Sequence, residues 1–464
     1  ALSGHVDAGS GSLTAAHGPS FAAVHGLAPL KVHARDLMLE KFIDAPTLAA
    51  APTLAPPTGE PSTVLLTGAT GFLGRYLVLD WLARLEDTEG TLICLVRATS
   101  DEAARRRLEA TFDTGDPELL AHFRALAAEG RLQVIAGDKG QPNLGLDQAH
   151  WQDLAGRVDL IVDSAALVNS VLPYSELFGP NVVGTAELIR FALSTKLKAY
   201  AYVSTSDVGR QIEPSQFTED ADIRVISAHR VVDGSYANGY GNSKWAGEVL
   251  LREAHDLCGL PVAVYRSGMI LADPRYAGQL NTADTVTRTI YSLMLTGMAP
   301  GSFYQLDKKG HRQRAHFDGL PVDFVAEAIT TLSAGLADGF ATYHVMNPHD
   351  DGIGIDEYVD WLIEAGYPIE RVDDFGQWLQ RFHTALQALP ESQRQNTVLQ
   401  MLDILLHSAH DVAAPEPTLG SYAPADKFRA AVQEAKIGPD KDIPHVTADV
   451  ITKYVTDMQL LGLL

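Results

Sequence analysis

Cysteine is scarce in this chain of 464 residues, which contains only Cys94 and Cys258, both in apolar segments. Two cysteines so placed exclude a disulfide-stapled secreted domain and a cysteine-ligated metal site, and they favour a reducing compartment. The 16 histidines include no His-x-x-x-His pair with an intervening Glu, so no metal site is predicted. We therefore expect a cytoplasmic protein without a bound metal.

Long apolar runs and positive charge are also lacking. No run approaches the roughly 18 residues of a membrane helix, and no signal peptide begins the chain, so no membrane span is predicted. Lys and Arg number 36 against 58 Asp and Glu, a formal net charge of −22. A chain this acidic repels phosphate backbones, which excludes nucleic acid as an expected partner.

The most informative segment present is a glycine-rich turn at residues 67–74, TGATGFLG, between an apolar run and a helical pattern. In a strand–turn–helix unit, Gly68 permits the tight turn, Gly71 lets the backbone approach a pyrophosphate, and Gly74 lets the helix pack closely. The helix N-terminus then offers free N–H groups to the phosphates. The predicted dinucleotide contacts here are Gly68, Thr70, Gly71, Phe72, Leu73 and Gly74.

Alternation of apolar runs with helical patterns predicts the fold. Strands are predicted at 63–67, 91–96, 132–136, 158–162, 199–204 and 261–266. Helices are predicted at 72–86, 101–127, 174–196 and 240–257. This rhythm is typical of an α/β protein with a Rossmann-type, doubly wound parallel sheet, here assigned to residues 61–268. Residues 269–464 are predicted to form a smaller, mostly helical substrate domain, and an exchange of segments between the two domains is left open.

The first 60 residues have a different composition. Residues 45–49, APTLA, almost repeat at 51–55, and two prolines follow, which predicts a linker with stiff extended pieces. A short helix is predicted over 34–42. Such a start is typical of a domain cut from a longer enzyme.

Two strand ends carry residues suited to the adenosine half of a dinucleotide. Arg97 ends the second strand, where an arginine accommodates the 2′-phosphate of NADP and an acidic residue would select NAD. Arg107, one of three consecutive arginines on the next helix, is predicted to share that phosphate, the alternative being a solvated helix start. Gly137 and Asp138 end the third strand, where Asp138 either contacts adenine or is a turn residue that caps a helix.

Small and hydroxyl-bearing residues end the next two strands. Ser164, Ala165 and Ala166 let the backbone pass close to the cofactor. The fifth strand runs into residues 203–206, VSTS, whose hydroxyls face the crevice in which ligands bind in this fold. From the residues alone, Ser204, Thr205 and Ser206 all remain candidates for a hydroxyl that bonds a substrate carbonyl.

Tyr240 and Lys244 are four residues apart, so they share one face of a helix. A neighbouring ammonium favours the phenolate, which predicts a lowered pKa for Tyr240 and easier proton transfer. The same lysine is predicted to reach the nicotinamide ribose. Such pairs arise by chance on helices. This one lies 35 residues after the hydroxyl cluster and far downstream of a glycine-rich turn, which makes chance a poor explanation.

Together these motifs resemble the extended short-chain dehydrogenases/reductases, and more narrowly the thioester reductase domain of carboxylic acid reductases. The resemblance covers nearly the whole chain from about Val32. The sequence motifs LEKFID at 39–44 and LVRA at 95–98 point to the carboxylic acid reductase branch. It implies a Thr205–Tyr240–Lys244 triad, with Ser204 and Ser206 still possible. In one departure, Ser267 stands where the wider superfamily usually has proline.

The resemblance implies NADPH-dependent reduction of an acyl thioester to an aldehyde. The acyl group would arrive on the phosphopantetheine arm of a carrier domain, normally in the same polypeptide. A basic run at 308–314 is a candidate docking patch for that carrier, or a solvated loop. Two alternatives stay open, a nucleotide-sugar epimerase or dehydratase and a non-catalytic NADP-sensing protein.

Overall fold

The computed structural model describes residues 18–86, 88–128, 130–408 and 413–464. Its strands are β1 (Lys31–His33), β2 (Thr63–Thr67), β3 (Thr91–Val96), β4 (Leu132–Ala136), β5 (Leu160–Asp163), β6 (Ala199–Thr205), β7 (His229–Val231), β8 (Val262–Ser267), β9 (Met269–Leu271), β10 (Met298–Pro300), β11 (Gly319–Pro321), β12 (Phe340–Val345) and β13 (Glu370–Val372). Its helices up to residue 258 are α1 (Phe21–His25), α2 (Ala45–Ala50), α3 (Phe72–Arg84), α4 (Asp101–Ala110), α5 (Pro117–Ala127), α6 (Gln148–Arg157), α7 (Tyr174–Leu177), α8 (Gly184–Ala192), α9 (Ile223–Ile226) and α10 (Asn238–Cys258). The later helices are α11 (Thr285–Thr296), α12 (Val322–Ala334), α13 (Ile355–Glu364), α14 (Phe375–Gln387), α15 (Glu391–Arg394), α16 (Leu399–Ser408), α17 (Asp426–Ala435) and α18 (Ala448–Leu460).

A seven-stranded parallel sheet organises the chain, in the order β12-β8-β6-β5-β2-β3-β4. From β2 the strands proceed through β3 and β4 towards one edge, and from β5 through β6 and β8 towards the other. The direction of winding therefore reverses between β2 and β5, where ligands bind at the carboxyl ends of the strands in open α/β sheets. This topology confirms the predicted Rossmann-type, doubly wound sheet.

Three apolar clusters support this architecture. One fills the sheet face covered by α6, α8 and α10, and the second fills the face covered by α3, α5 and α12. The third holds together α11, α13, α14 and α18. Residues after 269 also return to the sheet, because β12 is its edge strand and α17 packs in the second cluster. Residues after 269 thus contribute both to the third cluster and to the sheet, and the domain division at 269 stays a prediction.

Element boundaries differ from prediction where local backbone chemistry intervenes. The helix predicted over 101–127 is two helices, because Gly115 adopts a φ of +78° and Pro117 begins α5 with Asp116 as its cap. The helix predicted over 174–196 contains a π-helical segment, Phe178–Val183, between α7 and α8. Such wide turns occur where a helix has to adapt to a neighbouring site.

The prediction of extended linker pieces is wrong for residues 45–53, which are helical. Residues 45–50 form α2, capped by the Asp44 side chain and begun by a proline at a position that tolerates one. The short helix predicted over 34–42 is two separate 3₁₀ turns, Ala34–Asp36 and Leu39–Lys41. β1 pairs with β7, so this segment belongs to the folded body. The first 17 residues lie outside the described ranges.

No helix within the described ranges is long and apolar enough to cross a membrane.

We predict that Leu37→Ala lowers the free energy of unfolding by about 2–5 kcal/mol, because Leu37 is 0% exposed in the first apolar cluster. Leu30→Ala is the matched control, since Leu30 in the same segment is 80% exposed, and its effect should stay within about 0.5 kcal/mol. Urea unfolding measures both changes. Equal effects of the two substitutions would mean that this segment adds nothing to the core.

Candidate active site

A cleft of about 500 Å³ runs along the carboxyl ends of the strands, across the point where the winding reverses. It brings together all the predicted cofactor and catalytic residues except one. Those that line it are Gly68, Thr70, Gly71, Phe72, Leu73, Gly74, Arg97, Arg107, Gly137, Asp138, Ser164, Ala165, Ala166, Ser204, Thr205 and Tyr240. Lys244 is fully buried and lies outside this lining.

The glycine-rich turn has the geometry that its spacing predicts. Gly68 has a φ of +77°, and a side chain there would come within 2.7 Å of the Ala165 nitrogen. A side chain on Gly74 would overlap the Gly68 carbonyl oxygen, so α3 can pack on the turn only with glycine at that position. Gly71 precedes α3 without a side-chain cap, which leaves first-turn N–H groups available for an anion.

Two arginines flank the far end of the cleft. Both Arg97 and Arg107 are exposed, and Arg107 Nη1 donates to the Arg97 carbonyl oxygen at 2.6 Å. Neither forms an ion pair with an acidic side chain in the described part of the chain. Their charges are therefore available to an anionic ligand, whereas Arg105 and Arg106 lie outside the cleft lining.

Asp138 closes a turn but does not cap a helix, since the 3₁₀ turn that follows has no side-chain cap. Its Oδ1 accepts the Gly140 N–H at 2.9 Å, which closes the turn after β4. Asp138 also lines the cleft, so the turn bond and a contact with a ligand are compatible.

The three hydroxyls at the end of β6 have different surroundings. Ser204 Oγ donates to Glu248 Oε1 at 2.6 Å, so its proton is already engaged. Ser206 does not contribute to the cleft lining. The Thr205 oxygen accepts the Asp207 N–H at 3.2 Å, which leaves its own proton free for donation into the cleft. Thr205 is therefore the best placed of the three.

Tyr240 and Lys244 lie on one face of α10, but their electrostatics differ from the prediction. Burial raises the pKa of Tyr240, and the negative charge of Asp207 raises it further. Burial lowers the pKa of Lys244 to about 7, and its amine lies 3.8 Å from the centre of the Tyr202 ring. The prediction that Lys244 lowers the pKa of Tyr240 is wrong in this structure, because burial dominates at both residues.

Sequence reasoning missed a buried charge cluster beneath the cleft. Asp163, fully buried at the end of β5, accepts hydrogen bonds from Lys139 Nζ at 2.7 and 3.0 Å and from Thr67 Oγ1 at 2.9 Å. Thr185 and Tyr200 also donate to it, at 3.1 and 3.0 Å. Although burial alone would raise the pKa of Asp163, the charge of Lys139 and these bonds keep it below its usual value. The sequence did contain one signal for this cluster, because Asp163 is a charged residue at the end of an apolar strand.

A second buried cluster lies on the other side of the predicted catalytic residues. Arg266 Nη2 donates to Glu248 Oε2 at 2.7 Å, and Arg266 Nη1 contacts His344 Nε2 at 3.1 Å. Burial lowers the pKa of His344 to about 3, helped by the charge of Arg266, so the ring is neutral. Its Nδ1–H donates to the Pro424 carbonyl, and its Nε2 accepts from Arg266.

The basic run at 308–314 is partly neutralised within the chain. Arg312 pairs with Asp360 at 2.6 Å and Arg314 with Asp350 at 2.9 Å. Lys308 and Lys309 remain exposed without an acidic partner in the described residues.

Within the described ranges, no group of three or more His, Cys, Asp or Glu side chains is arranged to hold a metal ion.

Known proteins resemble this chain over most of its length. The male sterility protein family matches residues 66–329. A carboxylic acid reductase of Mycobacterium marinum is 66% identical over 450 residues, covering 96% of this chain and 38% of that protein. An isonitrile lipopeptide synthase of Mycobacterium tuberculosis is 67% identical, covering 96% of this chain and 18% of that protein. The chain thus spans well under half the length of these relatives.

Among solved structures, the reductase domain of a nonribosomal peptide synthetase from Mycobacterium tuberculosis superposes with a TM-score of 0.87. It is 67% identical in sequence, and the match covers 94% of this chain and all of that one. The resemblance found in the sequence is confirmed. This chain belongs to the male sterility protein family, in the branch that contains the reductase domains of carboxylic acid reductases and mycobacterial peptide synthetases.

Proposed function

We propose that this chain reduces an acyl thioester to an aldehyde with NADPH, the acyl group being carried on the phosphopantetheine arm of a carrier domain. One observation carries the proposal: Thr205 and Tyr240 lie in the same cleft as the glycine-rich turn and the Arg97–Arg107 pair. Hydroxyls able to hold a carbonyl oxygen thus share a cleft with a dinucleotide cradle. The names of the relatives support the reduction.

The residues present fit NADPH. The Gly68–Gly74 turn and the uncapped start of α3 suit a pyrophosphate, since added side chains would fill that space. Arg97 and Arg107 suit a 2′-phosphate, whereas NAD is usually selected by an acidic residue at the position of Arg97. Gly137, Asp138 and the Ser164–Ala166 backbone complete the proposed cofactor contacts.

Bound NADPH supplies the hydride that adds to the thioester carbonyl carbon. Thr205 and Tyr240 donate hydrogen bonds to the carbonyl oxygen, which becomes negative as the carbon becomes tetrahedral. Tyr240 gives its proton to that oxygen. The resulting hemithioacetal then loses the thiol and leaves the aldehyde. We assign Lys244 to the same triad because it lies one turn after Tyr240 on the same face of α10, and its amine would hold the nicotinamide ribose.

The direct test mixes the purified chain with NADPH and an acyl-pantetheine thioester. The proposal expects loss of nicotinamide absorbance with equimolar aldehyde and free thiol. Epimerisation of a nucleotide sugar without net consumption of NADPH would instead identify a sugar-modifying enzyme. Binding of NADPH without turnover of any thioester would identify a sensing protein.

We predict that Arg97→Ala lowers kcat/KM for NADPH by roughly tenfold to a hundredfold, while kcat/KM for NADH changes little. A charge-assisted hydrogen bond contributes about 1.5–3 kcal/mol, and NADH lacks the phosphate that would receive it. Arg105→Ala is the matched control, because Arg105 is an exposed arginine of α4, the helix that carries Arg107, and lies outside the cleft lining. Wild-type use of both cofactors with equal efficiency would refute the assignment.

We predict that Tyr240→Phe lowers kcat by at least ~10²-fold while the Kd for NADPH is unchanged, because only the proton donor is removed. Tyr236→Phe, in the turn before α10 and outside the cleft lining, should retain full activity. Steady-state rates and NADPH fluorescence titrations give the two quantities. Near-normal turnover by Tyr240→Phe would make Tyr240 a structural residue.

The lowered pKa of Lys244 predicts a pH-dependent stability. An unfolded lysine keeps its proton to about pH 10, whereas the folded chain releases it near pH 7, so the unfolded state binds more protons between these values. The free energy of unfolding of the wild type should therefore rise relative to Lys244→Met, by about 2 kcal/mol from pH 7 to pH 9. Lys309→Met, at an exposed site, is the control. A difference that stays constant with pH would show that Lys244 remains charged.

A further inference from the structure

Ser267 is a cleft residue whose hydroxyl has no protein partner. It ends β8, is 6% exposed, and lines the cleft. Its Oγ is buried and makes no hydrogen bond within the described residues. Buried hydroxyls are nearly always bonded, so an unbonded one that lines a ligand cleft indicates a ligand that completes it.

The sheet places this hydroxyl beside the proposed catalytic one. β6 and β8 are parallel neighbours, and their register pairs Thr205 with Ser267. Paired residues of adjacent strands point to the same face, with the strands about 4.8 Å apart. The preceding pair, Ser204 and Arg266, points to the opposite face, where both side chains bond Glu248. The side chains of Thr205 and Ser267 therefore both face the cleft.

We propose that Ser267 Oγ donates a second hydrogen bond to the thioester carbonyl oxygen, beside the bond from Thr205. This inference rests on the proposed reduction of a thioester. The Thr205 oxygen already accepts the Asp207 N–H, so its proton points away from that bond, and the Ser267 proton is unengaged. Tyr240 supplies the proton that moves, while the two hydroxyls hold the oxygen as its charge develops. Ser267 is a catalytic residue in this scheme, and no covalent bond to it forms.

The test measures kcat, the Kd for NADPH and the melting temperature for Ser267→Ala and Ser267→Thr. Ser267→Ala should lower kcat roughly 10²-fold, the usual effect of removing one such donor. The Kd for NADPH should stay within about twofold, and the melting temperature should not fall, because no protein partner is lost. Ser267→Thr keeps the hydroxyl and should recover most of the activity.

Thr330→Val is the matched control. Thr330, on α12, is 3% exposed, and its hydroxyl is also buried without a partner, but it lies outside the cleft lining. This variant should retain the wild-type kcat.

Wild-type kcat in Ser267→Ala would overturn the proposal, as would a loss confined to the affinity for NADPH, which would assign the hydroxyl to the cofactor. An equal loss in Thr330→Val would overturn it too. A wild-type chain that reduces no thioester would overturn the proposed function as well, so the two failures are distinguished by the wild-type rate alone.

Discussion

One buried carboxylate, that of Asp163, connects the elements that build the cleft. It ends β5 at the point where the sheet reverses its winding, and it accepts bonds from Thr67 at the end of β2 and from Lys139 after β4. The Thr67 side-chain oxygen in turn accepts the Ala165 N–H, so this first residue of the glycine-rich turn also fixes the backbone after β5. Removing one partner of a buried ion pair typically costs 3–5 kcal/mol, because a charge is left uncompensated. The position of the dinucleotide cradle therefore depends on this group.

The same cluster sets the electrostatics of the proposed triad. The charges of Asp163 and Lys139 act in opposite directions on Lys244, and burial decides the outcome by lowering the pKa of that lysine. On the other side of α10, Glu248 bonds Ser204 and Arg266 and so fixes the ends of β6 and β8. The proposed catalytic hydroxyls consequently project from strand ends that are held from behind by these bonds. Such rigidity favours a site whose hydrogen bonds have to be in place before charge develops.

Local patterns allowed much of this to be predicted from the sequence. β2, β3 and β4 have the predicted bounds, because apolar runs between turn residues define strands well. The cleft lining was predicted because ligands meet a doubly wound sheet at its carboxyl edge, and strand ends can be read from a sequence. β12 was missed because it follows a long helical region, and the folded N-terminal segment because its prolines are compatible with helix starts as well as with linkers. The partnership of Asp163 with Lys139 was missed because it joins residues that only the folded sheet brings together.

The central claim is that this cleft transfers a hydride to a thioester carbonyl carbon. The most direct measurement uses NADPH carrying deuterium at the transferred position of C4, together with an acyl-pantetheine, and mass analysis of the product. The account predicts an aldehyde with one deuterium on C1 and one free thiol per NADPH oxidised. An aldehyde without deuterium, or a carboxylic acid released without oxidation of NADPH, would contradict it.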